Sequence, residues 1–195
     1  MHCLVIYAHP VEDSYCAALR DAAVGALRET GHEVRIVDLY AEGFVPALSR
    51  QERIDYHTHG KNIANVRAHI ELLRWAEALV FVYPTWWYGL PAILKGWLDR
   101  VWVPGVTFTL PADGKPVRGL MDNIVRLVGI STSGSSRLWM AIVGNPGRHT
   151  ITRGIRVLCN LHCRTTWLAH YDIDRSTPMS RAAFIERVAG ALARL

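Results

Sequence analysis

Residues 78–102 read ALVFVYPTWWYGLPAILKGWLDRVW. The first seven residues, through Pro84, are an unbroken apolar run. Apolar side chains on both alternating sets mark a strand covered on both faces, as in a parallel sheet. From Pro91 to Val101 the apolar residues recur at helical spacing, and Pro91 suits the first turn, where a missing N–H costs nothing. Between strand and helix stands PTWWYG. Four of the chain's seven tryptophans fall in this stretch, and its aromatics can serve as core, as interface or as a ligand platform.

The same alternation extends in both directions. CLVIYA (3–8) reads as a first strand. A helix follows over Ser14–Glu29, with apolar residues at 15, 18, 19, 22, 23 and 27, and Gly31 stops it. HEVRIVDL (32–39) alternates as a second strand, with Val34, Ile36 and Val37 inward. Residues 41–60 form a long excursion with helical scraps but no long period. A second helix is expected over Asn62–Ala76, with Ile63, Val66, Ile70 and Leu73 on one face. Beyond the third helix, residues 103–120 carry the turn signals PG and PADGK. NIVRLVGIST (123–132) is the fourth strand, SGSSRLWMAIVG starts a helix, and helical spacing returns over Ile151–Asn160. RTTWLAHY (164–171) is the fifth strand. SRAAFIERVAGALARL closes the chain as a helix capped by Ser180 or Thr177. Five strands alternating with helices predict an α/β fold, an open parallel sheet with helices on both faces.

The chain's 195 residues, half of them hydrophobic and a fifth charged, fit a single globular domain over 1–195. The net charge is +5, but the arginines are scattered and no nucleic-acid motif is present. No apolar run is long enough for membrane insertion. The start lacks a basic segment and cleavage site, which suggests a cytoplasmic protein. Cys3, Cys16, Cys159 and Cys163 then read as reduced thiols. CNLHC (159–163) has no second ligand pair, and His57, His59 and His69 need no metal, so none is expected.

In open parallel sheets, ligands bind beyond the carboxyl ends of the strands. AHPVEDSY follows strand one. Asp13 and Ser14 are N-cap candidates there, free helix-start amides can hold a phosphate, and His9 can add a donor; Glu12 and Asp13 oppose an anion unless they turn away. Neither GxGxxG nor a Walker A motif is present. YPTWWYG follows strand three and supplies aromatic surface, with Trp87 and Tyr88 foremost. STSGSSRLW follows strand four and offers backbone donors with little side-chain bulk. AHYDID, after strand five, is the least informative. A flavin mononucleotide needs a phosphate site, polar donors for its ring edge and aromatic surface.

YPTWWYGLPAILKGWLDRVW resembles the NAD(P)H:quinone oxidoreductases of the flavodoxin-like superfamily. The pattern is met by Pro84, Trp87, Tyr88, Gly89, Pro91, Leu94, Lys95, Gly96, Trp97, Arg100 and Val101. The opening AHP with Ser14 and Tyr15, and DLY at 38–40, also fit. The resemblance runs over about residues 3–145. It implies a flavodoxin-like five-stranded sheet in the order 2-1-3-4-5 and a tightly held flavin. By that match His9, Ser14 and Tyr15 belong to the phosphate end. Pro84, Thr85, Trp86, Trp87 and Tyr88 border the isoalloxazine, and Ser131, Thr132, Ser133 and Gly134 meet its pyrimidine side or N5 edge, with Trp139 nearby. It further implies a homodimer with the site at the subunit interface, where Trp102 can pack, and a ping-pong cycle. NADH or NADPH gives hydride to the flavin, and a small-molecule acceptor such as a quinone, nitro or azo compound then takes the electrons.

Three departures matter. Mammalian members were proposed to relay a proton through a Tyr and a His; Trp139 and Asn145 stand at those positions here, and neither is a general acid. TSG replaces TGG at 132–134. A long C-terminal extension that helps hold an FAD adenosine is missing, which favours FMN, with FAD second. Arg137 and Arg148 are candidates for the extra phosphate of NADPH. The alternative reading is a flavin-binding regulatory or partner-binding subunit of the ion-efflux type, with little turnover.

Overall fold

A computed structural model describes residues 1–111, 114 and 116–195. The PADGK turn at 111–115 falls largely outside them. Five strands form one parallel sheet in the order β2-β1-β3-β4-β5. They are β1 (His2–Tyr7), β2 (Glu33–Asp38), β3 (Ala78–Pro84), β4 (Arg126–Thr132) and β5 (Arg164–His170). Val5 pairs with Ile36 on one side and Val80 on the other, and Val80 pairs with Val128.

The seven α-helices among the described residues are α1 (Tyr15–Glu29), α2 (Arg50–Asp55), α3 (Arg67–Trp75), α4 (Ala92–Val101), α5 (Arg137–Ile142), α6 (Pro146–His149) and α7 (Pro178–Leu192). They cover the sheet on two sides. Leu19 and Leu27 of α1 and Phe184 and Val188 of α7 pack with Val5, Val80 and Val128. Ile70 and Leu73 of α3 and Leu94 and Trp97 of α4 pack with Leu4, Leu79 and Phe81. β3 feeds both cores, because alternate side chains point to opposite faces: Val80 and Val82 go to one, Leu79, Phe81 and Tyr83 to the other. Every residue of β3 is buried, and each large side chain so covered is worth about 1.5–3 kcal/mol.

The structure corrects several boundaries. Ile36 is 39% exposed rather than inward, because β2 is an edge strand. The second expected helix begins at Arg67, not Asn62. The Asn62 amide donates to the carbonyls of Tyr56 and Pro104, holding this segment in turns. Within 41–60, α2 forms behind a capping box in which Ser49 and Glu52 exchange hydrogen bonds. Residues 150–158 form a π-helical turn and then a 3-10 turn rather than an α-helix. Thr150 and Thr152 donate back to the carbonyls of Pro146 and Arg148, a local bond that competes with regular helix. Of the two caps expected for the closing helix, Thr177 is the one used, so α7 begins at Pro178. Trp102 is only 7% exposed and belongs to the chain's own core, so it is not free to pack in a dimer interface.

α4 positions the segment that precedes it. A Cβ on Gly96 would collide with the backbone of Pro46, so the glycine lets the 41–60 excursion lie against the helix. Arg100 in the last turn of α4 donates to Glu52 of α2, Nε to Oε1 at 3.0 Å. Burial alone would raise the Glu52 carboxyl, but hydrogen bonds from Ser49 and Arg100 outweigh it and hold the group down at about 2.

Candidate functional site

β3 ends at Pro84, and the chain is at once tied to β4. The Thr85 N–H donates to the Thr132 carbonyl at 2.7 Å, and the Thr85 and Ser131 hydroxyls lie 2.8 Å apart. Trp86 and Gly89 then exchange backbone hydrogen bonds, at 3.3 and 3.0 Å. The two residues between them, Trp87 and Tyr88, have φ of 48° and 63°. This is the pattern of a type I′ turn, in which Asn-Gly is favoured because both central residues are left-handed. A bulky residue held there costs about 1–3 kcal/mol. Trp87 is 94% exposed, so core packing does not account for it.

The turn after β4 faces this one. The Ser133 N–H donates to the His170 carbonyl, and its own carbonyl accepts from Ile173 N–H. Ser133 Oγ accepts from Ser135 N–H, and Ser136 caps α5 by accepting from Trp139 N–H. Gly134 lies under Asp174: an added Cβ would sit 2.5 Å from Oδ2 of that carboxylate. Thr85, Trp87 and Tyr88 on one side and Ser133, Gly134, Ser135 and Asp174 on the other line an open cavity of about 410 Å³. A second cavity of about 450 Å³ shares Gly134, Ser135 and Asp174 and adds Ser136, Trp139, Asp172 and Arg175. Trp139 Nε1 donates to the Tyr88 hydroxyl at 3.1 Å, joining the two.

A third cavity, of about 220 Å³, lies at the end of β1, with His9, Glu12, Asp38 and Tyr40 in its wall. The His9 ring is 6.3 Å from that of Trp86, and its Nδ1 accepts from Val11 N–H at 3.1 Å. Asp38 accepts from Tyr40 and Ala41 N–H and lies 3.7 Å from the Arg20 guanidinium, so its charge is compensated. Ser14 caps α1 by accepting from Ala17 N–H, and its Oγ is 3.3 Å from the Tyr7 hydroxyl. The Tyr15 hydroxyl lies 2.8 Å from His170 Nδ1 and 3.3 Å from the Arg181 carbonyl. Burial pushes its phenol up to about 12.

Of the expected site residues, Thr85, Trp87, Tyr88, Ser133 and Gly134 meet at one cavity and Trp139 lines the next. His9 lies at the third, beside Trp86. Pro84, Ser131 and Thr132 are buried beneath, where they fix the turn. Ser14 caps the helix, and Tyr15 turns toward β5 and α7. Arg137 and Arg148 line none of these cavities; among the described residues the cation that does is Arg175. Ser135, Asp172 and Asp174 lie within the STSGSSRLW and AHYDID stretches that the strand-end rule marks, but no site role was expected of them, and Arg175 follows directly after AHYDID.

The donor set fits a flavin. Among the described residues the backbone N–H groups of Trp87, Tyr88 and Gly134 have no hydrogen-bond partner, nor do those of Tyr15 and Cys16 at the start of α1. Such amides suit the carbonyl-bearing edge of a planar heterocycle and a phosphate, respectively. Gly134, with no Cβ, allows close approach. No group of three or more His, Cys, Asp or Glu among the described residues is placed to hold a metal ion. No helix among them is long and apolar enough to cross a membrane.

A family model described as flavodoxin-like fold matches residues 1–194. The chain is 30% identical to NAD(P)H dehydrogenase [quinone] 1 of Rattus norvegicus, over 94% of this chain and 73% of the relative. It is 32% identical to the Cavia porcellus protein of the same name, over 70% of this chain but 54% of that relative, so it spans about half to three quarters of these curated proteins. The crystal structure of Smu.1420 from Streptococcus mutans UA159 superposes with a TM-score of 0.87 at 25% identity, covering all of both chains.

Proposed function

The chain belongs to the flavodoxin-like fold family, with homology to the NAD(P)H dehydrogenase/quinone reductase proteins, and on that premise we propose that it is a flavin-dependent NAD(P)H oxidoreductase. It passes two electrons from NADH or NADPH to a quinone or similar electrophilic acceptor in a ping-pong cycle. FMN is the favoured flavin and FAD the second choice. The whole chain, 1–195, acts as one flavin-binding domain in the cytoplasm. The reading rests above all on one observation: the strained Trp87–Tyr88 turn faces the Ser133–Gly134 turn across one cavity at the carboxyl ends of β3 and β4. A fold keeps aromatics in left-handed backbone when the site, rather than the core, requires them.

A bound flavin supplies the hydride chemistry. The chain's own residues bind and orient. The amides of Trp87, Tyr88 and Gly134 hold the ring edge, and the amides at the start of α1, with His9 and Ser14, hold the phosphate. Thr85, bonded to Ser131 and Thr132, fixes the height of the aromatic turn above the sheet. Trp87, Leu138 and Ile142 leave an exposed apolar surface near the cleft. A second copy of the chain is its proposed cover, excluding water from the reacting atoms.

Steady-state kinetics test the cycle. Varying NADH or NADPH at several fixed benzoquinone concentrations is expected to give parallel double-reciprocal lines. Intersecting lines would rule out a ping-pong order. A flavin-loaded chain that NAD(P)H reduces but that passes nothing to quinones would instead support the regulatory-subunit alternative.

A further inference from the structure

A quinone that receives a hydride becomes a hydroquinone anion, and it needs one proton on oxygen to leave as the neutral product. Where that proton comes from is a question about the cleft wall. Among the described residues, no histidine or lysine lines either of the two joined cavities. Asp172 and Asp174 are acceptors when ionised, and Arg175 does not release its proton. Ser133 Oγ is engaged by the Ser135 N–H, and aliphatic hydroxyls are weak acids. Among the described residues of the wall, Tyr88 is the remaining side chain with an acidic proton to give.

Its geometry suits the task. The indole N–H of Trp139 donates to the Tyr88 oxygen at 3.1 Å, so the phenol's own proton is directed elsewhere. A donor held on that oxygen also stabilises the phenolate left after proton loss. The backbone points the same way. Tyr88 is kept at φ 63° in a turn where glycine would be unstrained, and Trp87 beside it touches almost nothing.

We propose that Tyr88 is the proton donor to the electron acceptor, and that Trp139 is the residue that positions it. The Tyr88 O–H bond breaks as an O–H bond forms on the acceptor oxygen. The electron pair stays on the phenolate, which takes a proton back from water; the hydride arrives separately from the bound cofactor. The inference rests on the flavin-oxidoreductase reading above.

The test compares Tyr88→Phe, Trp139→Phe and the unaltered chain, each loaded with FMN. In Tyr88→Phe the reduced protein is expected to reoxidise with benzoquinone roughly 100-fold more slowly and to lose its solvent deuterium isotope effect. Ferricyanide, which takes electrons without a proton, should reoxidise all three equally. Trp139→Phe should slow the benzoquinone step less, and again leave ferricyanide unaffected. Without any turnover, Tyr88→Phe should shift the indole N–H resonance of Trp139 in ¹⁵N-tryptophan spectra. Unchanged benzoquinone reoxidation in Tyr88→Phe overturns the proposal alone, and so does equal slowing with ferricyanide. A chain that binds no flavin overturns it together with the reading beneath it.

Discussion

Trp87 and Tyr88 hold left-handed backbone angles that favour Asn and Gly, and this conflict yields a direct test. Trp87→Asn removes a side chain with almost no contacts and supplies a residue that tolerates φ 48°. It should stabilise the fold by about 1 kcal/mol, a rise in thermal midpoint of roughly 2–4 °C, while weakening FMN binding roughly 10-fold or more. A lower midpoint would mean that the turn is not strained. Gly134→Ala presents a subtler case. The colliding atom is the end of a movable Asp174 side chain, so the midpoint should change little while flavin affinity falls. The sequence made the aromatic turn legible because WWY follows a buried strand. Its left-handed geometry was hidden, since the usual markers, Asn and Gly, are absent from its two central positions. Asp174 was hidden because its meeting with Gly134 joins two loops forty residues apart.

Single elements carry the positioning. Gly96→Ala drives a Cβ into the Pro46 backbone, which cannot rotate away as a side chain can; overpacking of this kind costs about 1–3 kcal/mol, read as a lower denaturation midpoint. The Glu52–Arg100 pair joins α2 to α4 with both side chains largely buried. Because the Glu52 carboxyl sits at about 2 in the fold, its stabilisation is present above the ordinary carboxylate range near 4.5 and lost as pH falls toward 2. Glu52→Gln should therefore lower stability at pH 7 by about 2 kcal/mol and flatten the stability profile between pH 4.5 and 2; an unchanged profile would remove the pair from the account. β3 and α4 were readable because period two gives way to helical spacing within one segment. The helix at 62–76 was overextended because Asn62 bonds to Tyr56 and Pro104, a non-local choice that periodicity does not report. Ser49-x-x-Glu52 is a capping box legible in the sequence, but the six-residue α2 behind it is too short for helical spacing to mark.

At the scale of the whole molecule, alternation of strands and helices fixes the class, whereas the strand order came from the resemblance carried by the PTWWYG and LKGW residues. The sheet adopts that order. The exposed apolar residues near the cleft lead to the proposed dimer: Leu138→Glu should shift the chain from dimer to monomer in light scattering and slow acceptor reduction, and a wild-type chain that is monomeric at micromolar concentration would contradict it. The proposed function requires that the cavity between the Trp87–Tyr88 and Ser133–Gly134 turns hold a flavin that nicotinamide reduces. An anaerobic spectrum of the purified chain mixed with FMN, before and after NADH or NADPH and then after a quinone, measures this. The expected result is a bound-flavin absorbance near 450 nm that bleaches with the nicotinamide and returns with the quinone. A chain that takes up neither FMN nor FAD, or whose bound flavin stays oxidised with both nicotinamides, would contradict it.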